Sequence, residues 1–179
     1  MSKDYFRIWV DHLDRFNEYI GRGIRWTALL MVLVVCVDVT FRYLLKEGSA
    51  LFPELEWHLF SLMFLLGSGY ALRHDKHVRV DVIYARLSGK QKAWLNLLGH
   101  LLLLLPFCFV LFYASEPFVY RAFVMQEQSP DPGGLPYRFI IKSAIPAAAV
   151  LLGLQGIVEI AKCVYVIRYG SYSAKHSND

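Results

Sequence analysis

Apolar positions along the chain gather into four long blocks, residues 26–45, 51–72, 94–113 and 139–160, parted by polar stretches. A hydrocarbon core of about 30 Å takes about 20 helical residues at about 1.5 Å each, so every block is long enough to cross one. The pattern predicts an all-α membrane protein: four transmembrane helices forming a single membrane domain over 1–179. Before the first block, Phe6, Trp9, Leu13, Phe16 and Ile20 recur at spacings of three and four, while Arg7, Asp11, Asp14, Arg15 and Glu18 fall on other faces. This predicts an N-terminal amphipathic helix over 1–23, lying in the lipid headgroup region or packed on a partner.

The stretch between the second and third blocks has the same logic in miniature. Val80, Ile83, Tyr84 and Leu87 form an i, i+3, i+4, i+7 stripe, which predicts a short connector helix at the water-facing surface. Ser88 with Gln91 three residues on reads as a capping box that starts the third helix just before Trp94. Residues 126–138, "QEQSPDPGGLPYR", are too rich in Pro and Gly to continue a helix and predict a compact turn region. Gly133 and Gly134 followed by Lys142 and Ser143 lack the spacing of a phosphate-binding loop, which excludes nucleotide binding on that motif. Gly67 and Ala71 in the second block, with Ala149, Gly153 and Gly156 in the fourth, are expected at close helix contacts, and Pro106 and Pro146 are expected to bend their helices.

Composition sharpens the membrane reading. The 179 residues are 56% hydrophobic and 19% charged, against about half and about a quarter in soluble domains. The net charge of +4 reflects topology rather than affinity for nucleic acid. Lys3, Arg7, Arg15, Arg22 and Arg25 precede the first span, Arg73, Lys76, Arg79, Arg86, Lys90 and Lys92 fill the second connection, and Lys162, Arg168 and Lys175 follow the last. The positive-inside rule therefore places both termini and the second connection in the cytoplasm. No cleaved signal peptide is expected, since the first block carries Asp38 and Arg42 where a small-residue cleavage pattern would lie. Cys36, Cys108 and Cys163 stand alone in apolar surroundings and read as packing residues.

Charges inside the spans need a reason, because each costs about 2.5–3.5 kcal/mol at mid-span. Asp38 and Arg42, spaced i, i+4, either form an internal ion pair or contact another subunit. In "LFPELEWHLF" Pro53, Glu54 and Glu56 suit a first helical turn, and capping is the simpler reading; Glu54, Glu56 and Trp57 could also form an acidic entrance for a basic partner. His74 and His77 lack a third ligand in a recognisable pattern and read as solvated interface residues; no metal, cofactor or catalytic group is expected. Gln155, Glu159 and Lys162 read as a polar end to the fourth helix. His58 and His100 fall at depths about 13 Å apart, too far to share one haem, which argues against the alternative of a redox-complex membrane anchor.

Taken together, "ELEWHLF", "YALRHDKHVRVDVIYARLS" and "SPDPGGLPYRFIIKSAIP" resemble the DctQ family, the small membrane subunits of tripartite ATP-independent periplasmic (TRAP) transporters. The most specific marks are the run His77, Val78, Arg79, Val80, Asp81 after the second span and the acidic pair with Trp57 that opens it. The resemblance implies a bacterial inner-membrane subunit bound to a larger membrane subunit that carries the sodium and substrate sites. It further implies a periplasmic binding protein that delivers the solute, often an organic acid. The chain would act as a scaffold bracing the large subunit, with no paired Pro- or Gly-broken spans to build a transport site of its own.

Overall fold

The computed structural model describes residues 3–46, 48–74, 84 and 87–170. All regular structure among them is helical, in four long pieces. α1 runs Lys3–Thr40 and continues through a π-helical turn at Phe41–Leu45, where Lys46 closes it in the left-handed conformation (φ 58°). α2 is Leu51–Arg73, α3 is Gly89–Val124 and α4 is Phe139–Tyr169. Three of these helices, over Ile8–Leu45, Gly89–Val124 and Phe139–Tyr169, are long and apolar enough to cross a membrane. α2 is shorter, and Glu54, Glu56, His58 and its serines and glycines dilute its apolar run.

Contacts along the helices fix an up-down-up-down bundle. α1 and α2 are antiparallel, with the rings of Phe41 and Phe52 5.6 Å apart at one end and Gly21 against the Tyr70 ring at the other. α3 and α4 are antiparallel from Phe123 on Phe139 to Cys108 beside Gly153. α4 is the central element: Ile141, Ala144, Ala148, Ala149, Leu152 and Val158 are all buried, and Leu152 joins Leu72 and Cys108 in an apolar cluster. Gly156 is at a close helix contact as the pattern suggested, a Cβ there lying 2.8 Å from Leu104 Cδ2, but on α2 the close approach is at Gly69 rather than Gly67. Gly67 has open space around its Cα, whereas a Cβ on Gly69 would lie 2.9 Å from Asn17 Oδ1 and 3.3 Å from the Leu151 carbonyl oxygen.

Two differences from the sequence expectations have simple physical causes. The N-terminal amphipathic segment is no separate interfacial helix; it is the first half of α1, because only Gly21 and Gly23 separate it from the span and glycine inside a helix costs about 1 kcal/mol, too little to stop one. Likewise α3 begins at Gly89 and runs to Val124, well past the apolar block 94–113. The expected capping box is present, with Ser88 Oγ accepting from Gln91 N–H and the Gln91 side chain accepting from Ser88 N–H. The bend expected at Pro106 takes the form of a π-turn over His100–Leu104 immediately before it, with Leu105 N–H bonded to the His100 carbonyl. Proline lacks the N–H that an unbroken α-helix would use, and the wider turn absorbs the mismatch. Pro146 sits inside α4 without interrupting it. The expected connector helix, with Val80 and Ile83, lies outside the described residues, as do His77, Arg79 and Asp81.

Candidate functional site

Apart from Asp38 and Ser115, which bond within their own helices, the polar side chains that the bundle buries fall into two groups, one at each end. At the end of the 126–138 loop, named the outer end after the expected topology, Glu54 in the first turn of α2 is only 5% exposed. Three donors converge on its carboxylate: Ser129 Oγ, Leu135 N–H at 2.6 Å and Arg138 Nη2 at 2.7 Å. The loop is shaped to deliver them. It is entered and left through left-handed residues, Gln126 (φ 47°) and Tyr137 (φ 58°), and turns at Gly133 (φ 79°). A Cβ on Gly134 would lie 2.3 Å from Ser129 Oγ and 2.8 Å from Glu54 Oε2, so glycine lets the backbone lie against the carboxylate. Arg138 also stands 5.9 Å from the Trp57 ring, and Lys142 pairs with Glu127 at 2.5 Å.

Glu54 is thus satisfied within the chain, which gives it a loop-anchoring place beyond simple helix capping. Trp57 remains 40% exposed beside it. Glu56 Oε1 is buried with no hydrogen-bond partner among the described residues. His58 donates from Nδ1 to the Glu54 carbonyl at 2.6 Å and its ring lies 3.9 Å from that of Trp57. Toward the same end of α1, Arg42 reaches back one turn and bonds the buried Asp38 carboxylate, making the internal pair, while the Arg42 side chain stays 54% exposed. Cys108 and Cys163 are buried and Cys36 is exposed.

The opposite end, named the inner end after the same expectation, carries a network that reading each helix separately does not reveal. Gln155 of α4, fully buried, accepts from Asn17 Nδ2 at 2.8 Å and donates to Asp14 Oδ1 and Glu159 Oε1, each at 2.9 Å. Lys162 bridges Asp14 Oδ2 at 2.8 Å and Glu159 Oε1 at 2.9 Å. From α2, Arg73 pairs with Glu18 and lies 3.9 Å from Asp14, and His74 Nε2 is 2.9 Å from Glu18. His74 is exposed, as expected of a solvated residue, and is at the same time a member of the network, lying against the Tyr70 ring at 4.3 Å. The sequence signal was available in two halves: Asp14, Asn17 and Glu18 at i, i+3, i+4 on α1, and Gln155, Glu159 and Lys162 at i, i+4, i+7 on α4. Each stripe alone looks like a solvated helix face.

What this arrangement does chemically is hold helices. Buried charges without partners would be costly, and here, Glu56 apart, the interior carboxylates pair with cations and amides of their own or neighbouring helices and with the 126–138 loop. Meanwhile large apolar side chains such as Leu33, Phe64, Leu103, Phe109 and Ile140 cover the outside. No individually curated protein matches the chain. Residues 31–165, most of the chain, match the family model of the DctQ component of tripartite ATP-independent periplasmic transporters, and the chain belongs to that family.

Proposed function

We propose that this subunit is a static scaffold that braces the large membrane subunit of a TRAP transporter during sodium-coupled, binding-protein-dependent uptake of an organic acid. The DctQ family is a transporter component rather than an enzyme. The observation that carries the bracing role is the pair of polar clamps. The outer one ties the 126–138 loop to α2, the inner one ties α1, α2 and α4 together, and many large apolar side chains cover the surface between them. A body fastened at both ends and greasy on its sides is suited to hold a neighbour in place.

In this reading α2 is the fourth crossing, completing a single four-helix domain in the bacterial inner membrane. Its 23 residues reach about 34 Å and it runs antiparallel to α1 through the bundle. Both termini and the second connection face the cytoplasm, and the 126–138 loop faces the periplasm, where the soluble binding protein docks. The test is reconstitution. Vesicles should take up a radiolabelled organic acid bound by the soluble partner only when large subunit, binding protein and a sodium gradient accompany this chain. Uptake by this chain alone would refute the scaffold role. Cysteines at Ser88 and Asp131, in a background without the native three, check the orientation: an impermeant reagent should label only the second in intact cells.

A further inference from the structure

Of the charges on α2, α3 and α4 that neither clamp takes up, Glu116 lies farthest from the helix ends, since Glu56 stands in the first turns of α2 and Arg121 beside the Phe123–Phe139 contact. Glu116 of α3 is exposed and makes no hydrogen bond or ion pair among the described residues. Its depth follows from the helix register. Eight residues toward the inner end, Cys108 packs in one cluster with Leu72, the penultimate residue of α2. Seven residues toward the outer end, Phe123 meets Phe139, whose neighbour Arg138 binds Glu54 in the first turn of α2. Glu116 therefore lies about 12 Å from one level and about 10 Å from the other, close to the middle of α2's length. If α2 crosses the bilayer, as proposed above, this carboxylate sits near the hydrocarbon midplane, where ionisable groups are rare and functional.

It does not stand on an ordinary lipid face either. Tyr113 and Tyr120, at i−3 and i+4, flank it on the same side of α3, 75% and 62% exposed, with Phe109 one turn further on at 70%. Two phenols and a carboxylate make a polar line down the outward side of an otherwise apolar helix, the chemistry found between packed membrane helices rather than toward lipid. We infer that the Tyr113, Glu116, Tyr120 face of α3 docks against a transmembrane helix of the large subunit that presents a basic side chain to Glu116. Charge complementarity selects the occupant, since a carboxylate at this depth is stabilised by a cation, and among the described residues none of this chain's own reaches it. A second copy of the chain would set acid against acid across a symmetric contact.

The inference rests on the bracing reading, and the experiment separates the two. The tagged large subunit is co-purified in mild detergent with the wild-type chain, with Glu116→Leu and with Glu116→Gln, which keeps the shape and removes the charge. A photo-crosslinking amino acid is placed in turn at Tyr113 and Tyr120. Recovery with either Glu116 variant should fall at least about tenfold, while the isolated variants purify and unfold like the wild type. Both crosslinkers should capture the large subunit. Normal recovery of the variants, or crosslinks to a second copy or to lipid alone, would overturn the docking face while leaving the bracing role intact. Failure of the wild-type pair to co-purify would sink both.

Discussion

At the outer clamp three donors from one loop converge on the single carboxylate of Glu54, and Leu135 N–H and the Arg138 guanidinium have no other acidic partner there. At the inner clamp the donors are doubly provided. Lys162 reaches both Asp14 and Glu159, Gln155 reaches both as well, and Arg73 has Glu18 besides Asp14. The same currency of buried carboxylates therefore yields a brittle joint in one place and a redundant one in the other. A loop docking on a helix has few ways to be held, whereas three helix faces offer many.

The largest effect should come from the brittle joint. Glu54→Ala leaves Leu135 N–H and Arg138 unpaired in a buried setting, and should lower the unfolding midpoint of the detergent-purified subunit by about 5–10 °C. Limited proteolysis should then cut within 126–138 of the variant faster than in the wild type.

The inner joint sharpens the contrast. Asp14→Asn with Glu159→Gln removes both acidic acceptors from Lys162, and should destabilise by about 1 kcal/mol or more beyond the sum of the single changes, read from a double-mutant cycle of unfolding midpoints. Asp14→Asn alone, with Glu159 still in place, should shift the midpoint by no more than about 2–4 °C. Equal effects of Glu54→Ala and Asp14→Asn would contradict the distinction drawn here.

How much of this the sequence discloses depends on what kind of signal carries it. The capping box at Ser88, the Pro- and Gly-dense loop and the starts of α2 and α4 are local events, written in a few neighbouring residues, and they are legible. Helix ends that overrun the apolar blocks are not. Apolarity marks the part of a helix suited to lipid, but backbone hydrogen bonding continues until a residue stops it, so α1 extends back to Lys3 and α3 on to Val124. The inner network is harder still, because Asn17 and Gln155 are 138 positions apart in the chain and meet only through the helix register. The depth of Glu116 is hidden in the sequence for a related reason: it emerges only once Cys108 and Phe123 are levelled against α2.

The smallest effect is expected at the third ion pair, which belongs to neither clamp. Asp38 is buried and its partner Arg42 lies one turn away on the same helix, so replacing both with Leu removes acid and base together. The double variant Asp38→Leu/Arg42→Leu should unfold within about 2 °C of the wild type, and Arg42→Leu alone, which strands the buried carboxylate, should unfold below it. Loss of large-subunit recovery in the double variant would mean that Arg42 also reaches across to the partner.

The central claim is that these helices stay fixed while the large subunit moves, and a reversible lock across α1 and α2 addresses it most directly. A Cβ on Gly21 would lie 2.7 Å from the Tyr70 Cβ, so Gly21→Cys with Tyr70→Cys brings two thiols together after a relaxation of about 1 Å toward disulfide geometry. In a background lacking Cys36, Cys108 and Cys163, solute uptake by the reconstituted complex is measured before and after oxidation. A static brace predicts the same rate in both states. Uptake that stops on oxidation and returns on reduction would show that α1 and α2 move during transport, and would contradict the account.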